Sequence, residues 1–170
     1  HNSLDNILVM LPYHQLDCDN IINRLKHSKI LKNKKIKFKI YPDFIKNKEI
    51  YQKKFLKNWS LINKINFNEF PFSILITNAS GTSLEYAAKG ISTLLINSKG
   101  TDIECHPMPE TGYQEIWDIT KDYDNIDIKF DNLVNFRKNN PNKIISHAKY
   151  FLKNYFSLVD ENVIKNNFEF

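Results

Sequence analysis

Three short apolar runs restrict what this chain can fold into: NILVMLP at residues 6–12, SILITN at 73–78 and STLLIN at 92–97. Each is compact and bounded by turn formers, and each reads as a buried strand rather than as a helix segment. Between them the spacing becomes helical. From Asp17 to Leu31 the apolar residues Ile21, Ile22, Leu25 and Ile30 recur at helical intervals, with Asp17 or Asp19 available as an N-cap. KIKFKIYP at 35–42 alternates lysine with apolar residues and stops at Pro42, the pattern of a half-exposed strand. Asn47 to Asn58 reads as a second helix, SLINKIN at 60–66 as a weak strand, and Ser80 to Lys89 as a further helix. From Asp131 onward the pattern is helical, with a break at Pro141. Strands separated by helices of this length imply crossover connections and a parallel sheet. The expected fold is therefore a Rossmann-like α/β domain with helices on both faces of the sheet. Residues 1–130 form that domain, and 131–170 form C-terminal helices packing on it.

Composition narrows the function. A chain of 170 residues with 42% hydrophobic residues fills the core of one ordinary domain. The formal charge is +5, but the lysines are scattered through an Asn/Ile/Lys-rich background without a block of interleaved aromatics. Nucleic acid is accordingly not the expected partner, whereas a phosphorylated ligand suits the positive excess. Cys18 and Cys105 are too few and too far apart for a disulfide framework or a zinc cluster, and neither has an obvious local base. A reduced, cytoplasmic setting is expected. No run approaches the length that crosses a bilayer. The chain opens on His1, so it is expected to begin inside a longer protein or after a tag remnant.

The segment NASGTSLEYAAKG, residues 78–90, follows the strand SILIT and is the main functional candidate. In a parallel sheet, ligands bind beyond the carboxyl ends of the strands, where helix N-termini offer free N–H groups. Gly81 lets the backbone approach a phosphate, Ser80, Thr82 and Ser83 offer hydroxyls, and Glu85 lies one turn further on, within reach of a ribose hydroxyl. The same residues equally suit a plainer role, with Ser80 capping a helix whose Ala87, Ala88 and Gly90 pack closely on the sheet. The loop NSKGTDIECHPMPETGY at 97–113 gathers Lys99, Asp102, Glu104, His106 and Glu110 at the same edge. His106 suits a leaving phosphate, and Glu104 or Glu110 sugar hydroxyls. Their spacing lacks a metal-ligand pattern, and neither a metal nor a cofactor is expected. His14, after Pro12, is a candidate donor contact. His27 and His147 read as structural or solvated, Trp59 and Trp117 as core or interface residues, and Tyr113 as a residue able to stack on a base.

ILITNASGTSLEYAAKGISTLLI resembles the C-terminal nucleotide-sugar domain of GT-B glycosyltransferases, in which a strand, a small Ser/Gly/Thr turn, a helix with an early Glu, a Gly and another strand follow in order. It is similar in particular to bacterial surface-carbohydrate and capsule transferases, including those that use CMP-activated sialic acid or Kdo. NILVMLPYHQLD with KFKIYPDF resembles the first strand, helix and second strand of the same domain, so the likeness covers about the first 110 residues. It implies a nucleotide-sugar donor bound at Ser80, Gly81, Thr82, Ser83 and Glu85. It further implies a glycan or lipid-linked acceptor reached through an N-terminal companion domain that supplies the catalytic base, and peripheral membrane association of the full-length protein. Many of these families carry a Lys-Pro-His-Pro motif after the second strand. Here Tyr41-Pro42-Asp43-Phe44 stands instead, which removes the histidine; Asp43 is left for a base or sugar hydroxyl, and either Lys39 or another loop supplies the charge or the domain has lost activity. A GT-B nucleotide-sugar 2-epimerase and a non-catalytic scaffold domain of a polysaccharide assembly complex remain alternatives.

Overall fold

The computed structural model describes residues 6–41, 48–66, 71–78, 81–97, 106–121, 123 and 125–156. The chain forms an α/β fold around one six-stranded sheet in which every pairing is parallel. The strands are β1 (Ile7–Met10), β2 (Ile36–Lys39), β3 (Trp59–Leu61), β4 (Ile74–Thr77), β5 (Ser92–Ile96) and β6 (Trp117–Thr120), in the spatial order β3-β2-β1-β4-β5-β6. The helices are α1 (Gln15–His27), α2 (Lys48–Gln52), α3 (Thr82–Ala88), α4 (Ile126–Asn139) and α5 (Pro141–Tyr155), with a 3-10 turn at Leu31–Asn33.

Alternation along each strand divides the core between the two faces of the sheet. Ile7 and Val9 of β1, Ile36 and Phe38 of β2 and Leu94 and Ile96 of β5 pack with Ile21, Ile22 and Leu25 of α1 and Phe130 and Leu133 of α4. Leu8 and Leu75 pack on the opposite side with Tyr86 of α3, and Leu95 with Ala87 and with Ile144 and Phe151 of α5. Because β1, β4 and β5 are covered on both faces, their sequences are continuously apolar. That is why these three runs stand out in the chain. Each fully buried Ile or Leu adds roughly 1.5–3 kcal/mol of burial free energy.

The structure alters several sequence expectations. Neither Asp17 nor Asp19 caps α1; the N-cap is His14, without a side-chain capping bond. Asp19 instead meets Lys54 at 2.6 Å. The helix expected over 47–58 is described only at Lys48–Gln52, since Lys53 to Phe55 turn so that Phe55 stacks on Phe38 with ring centroids 4.2 Å apart. The weak strand at 60–66 is Trp59–Leu61. The helix expected from Ser80 begins at Thr82. Helix α4 runs across the 130/131 boundary, so the C-terminal helices start at Ile126. Strand β6 is an addition to the expected layout. Pro141 breaks the helical tail as expected, at the first position of α5, where its missing N–H costs no helical bond.

Candidate functional site

The order β3-β2-β1-β4-β5-β6 reverses direction between β1 and β4, and in open parallel sheets such a reversal opens a crevice at the carboxyl ends of the strands. Here the chain leaves β1 toward α1 on one side of the sheet and leaves β4 toward α3 on the other. The connections diverge and leave a cleft of about 460 Å³. Its walls come from three strand ends: Leu11 to His14 after β1, Lys39 to Tyr41 at the end of β2, and Thr77, Asn78 and Thr82 after β4.

Hydrogen bonds hold the floor of this cleft. Thr77 Oγ1 donates to the Met10 carbonyl at 3.1 Å and ties the two diverging strands at their tips. The Leu11 N–H donates to Lys39 O at 2.9 Å, extending the β1–β2 ladder by one residue. Cys18 Sγ donates to Pro12 O at 3.2 Å and fixes the β1–α1 connection from behind. Burial pushes the Cys18 thiol up to about 11, so it is a structural donor and not a nucleophile. The 13-residue helix α1 starts at this edge, and α3, at seven residues, is much the shorter of the two.

The rim is aromatic. Tyr13 is 54% exposed and Tyr41 44%, and their rings meet edge to face at 5.4 Å, with His14 also edge-on to Tyr13 at 5.4 Å. Lys39 Nζ donates to the Asn63 carbonyl at 3.1 Å, which holds the ammonium at the β2–β3 side of the cleft. The cleft thus combines two nitrogen donors, an amide, two hydroxyls and two phenol rings on an otherwise apolar wall. That mixture suits a ligand with a ring at one end and polar or anionic groups at the other.

The sequence candidates separate on this geometry. His14 and Thr82 line the cleft together with Lys39. Gly81 sits immediately before α3 in a right-handed conformation with open space around it. Ser83 is fully buried, with its side chain on the core side of α3. Glu85 points along its own helix to Lys89, 2.6 Å away, and is not part of the cleft lining. Ser80, Asp43 and Glu104 lie outside the described residues, as do Lys99, Asp102 and Cys105. His106 packs against Trp117 at 4.8 Å, toward the β6 side, and is not a freely solvated side chain. Glu110 closes a turn by accepting the Tyr113 N–H on its carbonyl, and Tyr113 lies on Trp117 at 4.9 Å. None of these three lines the cleft.

Trp59 and Trp117 are core residues, as the sequence indicates. His27 bonds the Asn23 carbonyl within α1, and His147 pairs with Glu115. Tyr13 and Asn78 are cleft residues to which sequence reasoning gave no role. The available signal was positional, since Asn78 directly follows β4 and Tyr13 lies in the short connection between β1 and α1. Among the described residues no group of three or more His, Cys, Asp or Glu side chains is arranged to hold a metal ion. No described helix is long and apolar enough to cross a membrane.

Fold and cleft together define the class: a Rossmann-like α/β domain with its candidate ligand site at the switch point of the sheet. Comparisons with family models, with curated proteins and with solved structures return no match.

Proposed function

We propose that the chain is the nucleotide-sugar-binding domain of a GT-B type glycosyltransferase acting in bacterial surface polysaccharide biosynthesis. The observation that carries this reading is the cleft at the β1/β4 reversal, where Tyr13, Tyr41, His14, Lys39, Asn78 and Thr82 surround a volume of about 460 Å³. A base or sugar ring is accommodated against the tyrosines, and the phosphates lie between His14, Lys39 and the hydroxyl of Thr82. The N-terminal end of α1 adds a positive dipole end at the same place.

In the proposed reaction an acceptor hydroxyl attacks the anomeric carbon of the donor. The bond from that carbon to the phosphate oxygen breaks, and the phosphate leaves with the bonding electrons. The hydroxyl proton passes to a base contributed by a companion domain. This domain's part is to bind the nucleotide and to meet the charge developing on the departing phosphate with groups already in position. Lys39 takes the place of the histidine that many such families carry after the second strand.

Calorimetric titration with CMP, CDP, UDP and GDP tests the reading. One nucleotide is expected to bind, and His14→Ala and Lys39→Ala are each expected to weaken it about tenfold, the scale of one lost charge-assisted hydrogen bond. Absence of binding by both this chain and its full-length protein would replace the enzyme reading with that of a scaffold domain.

A further inference from the structure

Helix α5 covers the sheet with one side only. Ile144 and Phe151 are buried there, and the adjoining strip of the helix, with Ile145, Ala148, Lys149 and Leu152, lines an open groove of about 320 Å³. Ala88, Lys89 and Gly90 at the end of α3 form its other wall, with Arg137 of α4 beside them. Ile145 and Leu152 are left 53% and 54% exposed. Thr82, at the opposite end of α3, lines the cleft at the sheet reversal, so the groove is a separate surface.

The charge around this groove is of one sign. Lys89, Arg137 and Lys149 line it, and among the described residues no carboxylate does. From Asn132 to Val159 the sequence contains no Asp or Glu but includes Arg137, Lys138, Lys143, Lys149 and Lys153. Lys149 is exposed and forms no ion pair among the described residues. A second copy of the surface would meet it with like charge, which disfavours self-pairing. The sequence that follows α5 has the opposite character. SLVDENVIKNNFEF, residues 157–170, sets Asp160, Glu161 and Glu169 against Lys165 alone and intersperses them with apolar residues such as Leu158, Val163, Ile164 and Phe168.

Length makes this segment a fitting occupant. Helix α5 ends at Tyr155, one turn beyond Leu152 and so at one end of the groove. From Phe156 back to Ile144 is about 18 Å along the helix axis. Fourteen extended residues reach at most about 50 Å, so a reversal directly after α5 leaves enough chain to run the whole groove. From this match of charge, apolarity and length we infer that residues 157–170 fold back along α5 and occupy the groove, with their carboxylates on the cationic side chains and their apolar residues over Ile145 and Leu152. The tether makes the contact intramolecular, so a weak intrinsic affinity is enough to keep the groove filled. The inference is independent of the nucleotide reading.

Paramagnetic broadening of amide signals in the whole chain tests it. A nitroxide is attached at Asn166→Cys in a Cys105→Ser background, where Cys18 is wholly buried and takes no label. It is expected to broaden Ala88, Gly90, Ile144 and Ile145, at the end of the groove away from Phe156, and to do so unchanged on dilution. Asp160→Lys/Glu161→Lys and, separately, Lys149→Glu should each lower the ratio of docked to undocked segment about fivefold, the scale of one or two exposed ion pairs. Lys32→Glu, a charge reversal away from the groove, should leave the broadening as it is. The amide signals of β1 and β4 verify that each variant is folded. Broadening confined to Leu152 to Phe156, as an undocked tether would give, or centred on another surface, would overturn the proposal. So would its loss on dilution, which would put the segment on a second copy, or full broadening in both charge variants.

Discussion

Arg24 Nη2 donates to Thr120 Oγ1 at 2.7 Å, joining the middle of α1 to the end of β6 across 96 residues of sequence. The guanidinium is almost fully buried, and its Nη1 lies 3.3 Å from both the Asn97 and Thr120 carbonyls at the ends of β5 and β6. Asn20 reinforces the same point by donating to Asn97 O at 3.1 Å. One cation therefore fixes the carboxyl edge of the last two strands to the helix that begins at the cleft. Arg24→Met keeps much of the volume but removes three hydrogen bonds from a charged donor, while Asn97 O keeps Asn20 and Thr120 O keeps the Asn97 N–H. Urea unfolding should show a loss of about 2 kcal/mol, and an unchanged midpoint would mean that the bonds add nothing over packing.

Glu115 and His147 tie α5 to the turn before β6, with Glu115 Oε2 2.5 Å from His147 Nε2 and Oε1 3.1 Å from Lys143 Nζ. The His147 hydrogen bond first, and Lys143 after it, hold the Glu115 carboxyl below its ordinary value of 4.5. A carboxyl whose folded value is depressed adds stability above its unfolded value and loses it as pH falls through the folded one. Acid titration of the unfolding midpoint should therefore show a decline beginning near pH 4.5, part of which disappears in Glu115→Gln. Identical acid profiles for the two proteins would remove Glu115 from the account.

Two glycines should answer oppositely to alanine. Gly112 has φ +79°, and a Cβ there would meet Ile116 Cγ2 at 2.6 Å, so Gly112→Ala should cost about 1–3 kcal/mol. Gly81, in right-handed conformation with no neighbour within 4 Å of a Cβ, should accept alanine with stability unchanged or raised by up to ~1 kcal/mol. Its expected defect is in nucleotide affinity alone. Thermal unfolding of both variants beside titration of Gly81→Ala separates fold from ligand. An unaltered affinity would leave Gly81 without a functional role.

Much of this fold was legible because buried parallel strands must be apolar on both faces. Ile7–Met10, Ile74–Thr77 and Ser92–Ile96 were therefore visible as runs. Strand β6 was not, because it is WDIT, and the carboxylate at its centre reads as loop. In the fold Asp118 is 2% exposed and is matched by Lys129 Nζ at 2.7 Å, a partner eleven residues away that no local pattern reveals. The candidate site was legible in its location, beyond the strand ends, and in His14 and Thr82. The side on which Ser83 and Glu85 fall depends on the start of α3 at Thr82, and helix boundaries are poorly marked where several Ser and Thr residues can each serve as cap. The pairing of Tyr13 with Tyr41 required the β1–β2 register.

Cys18 is wholly buried behind the cleft, and its thiol is pushed up to about 11 by burial. In a Cys105→Ser background the folded protein should be inert to a thiol reagent at mildly alkaline pH and react fully once unfolded in guanidinium. Rapid labelling of the folded protein would show that the β1–α1 connection opens readily and does not form a fixed wall.

The central claim is that the cleft between the ends of β1, β2 and β4 is the nucleotide site, and amide chemical-shift mapping during titration with CMP, CDP, UDP and GDP tests it most directly. The account predicts saturable shifts centred on Leu11, Tyr13 and His14, on Lys39 to Tyr41 and on Asn78 and Thr82, all three groups following one binding curve. Shifts of equal size centred on another surface, or none with any nucleotide in the full-length protein, would contradict it.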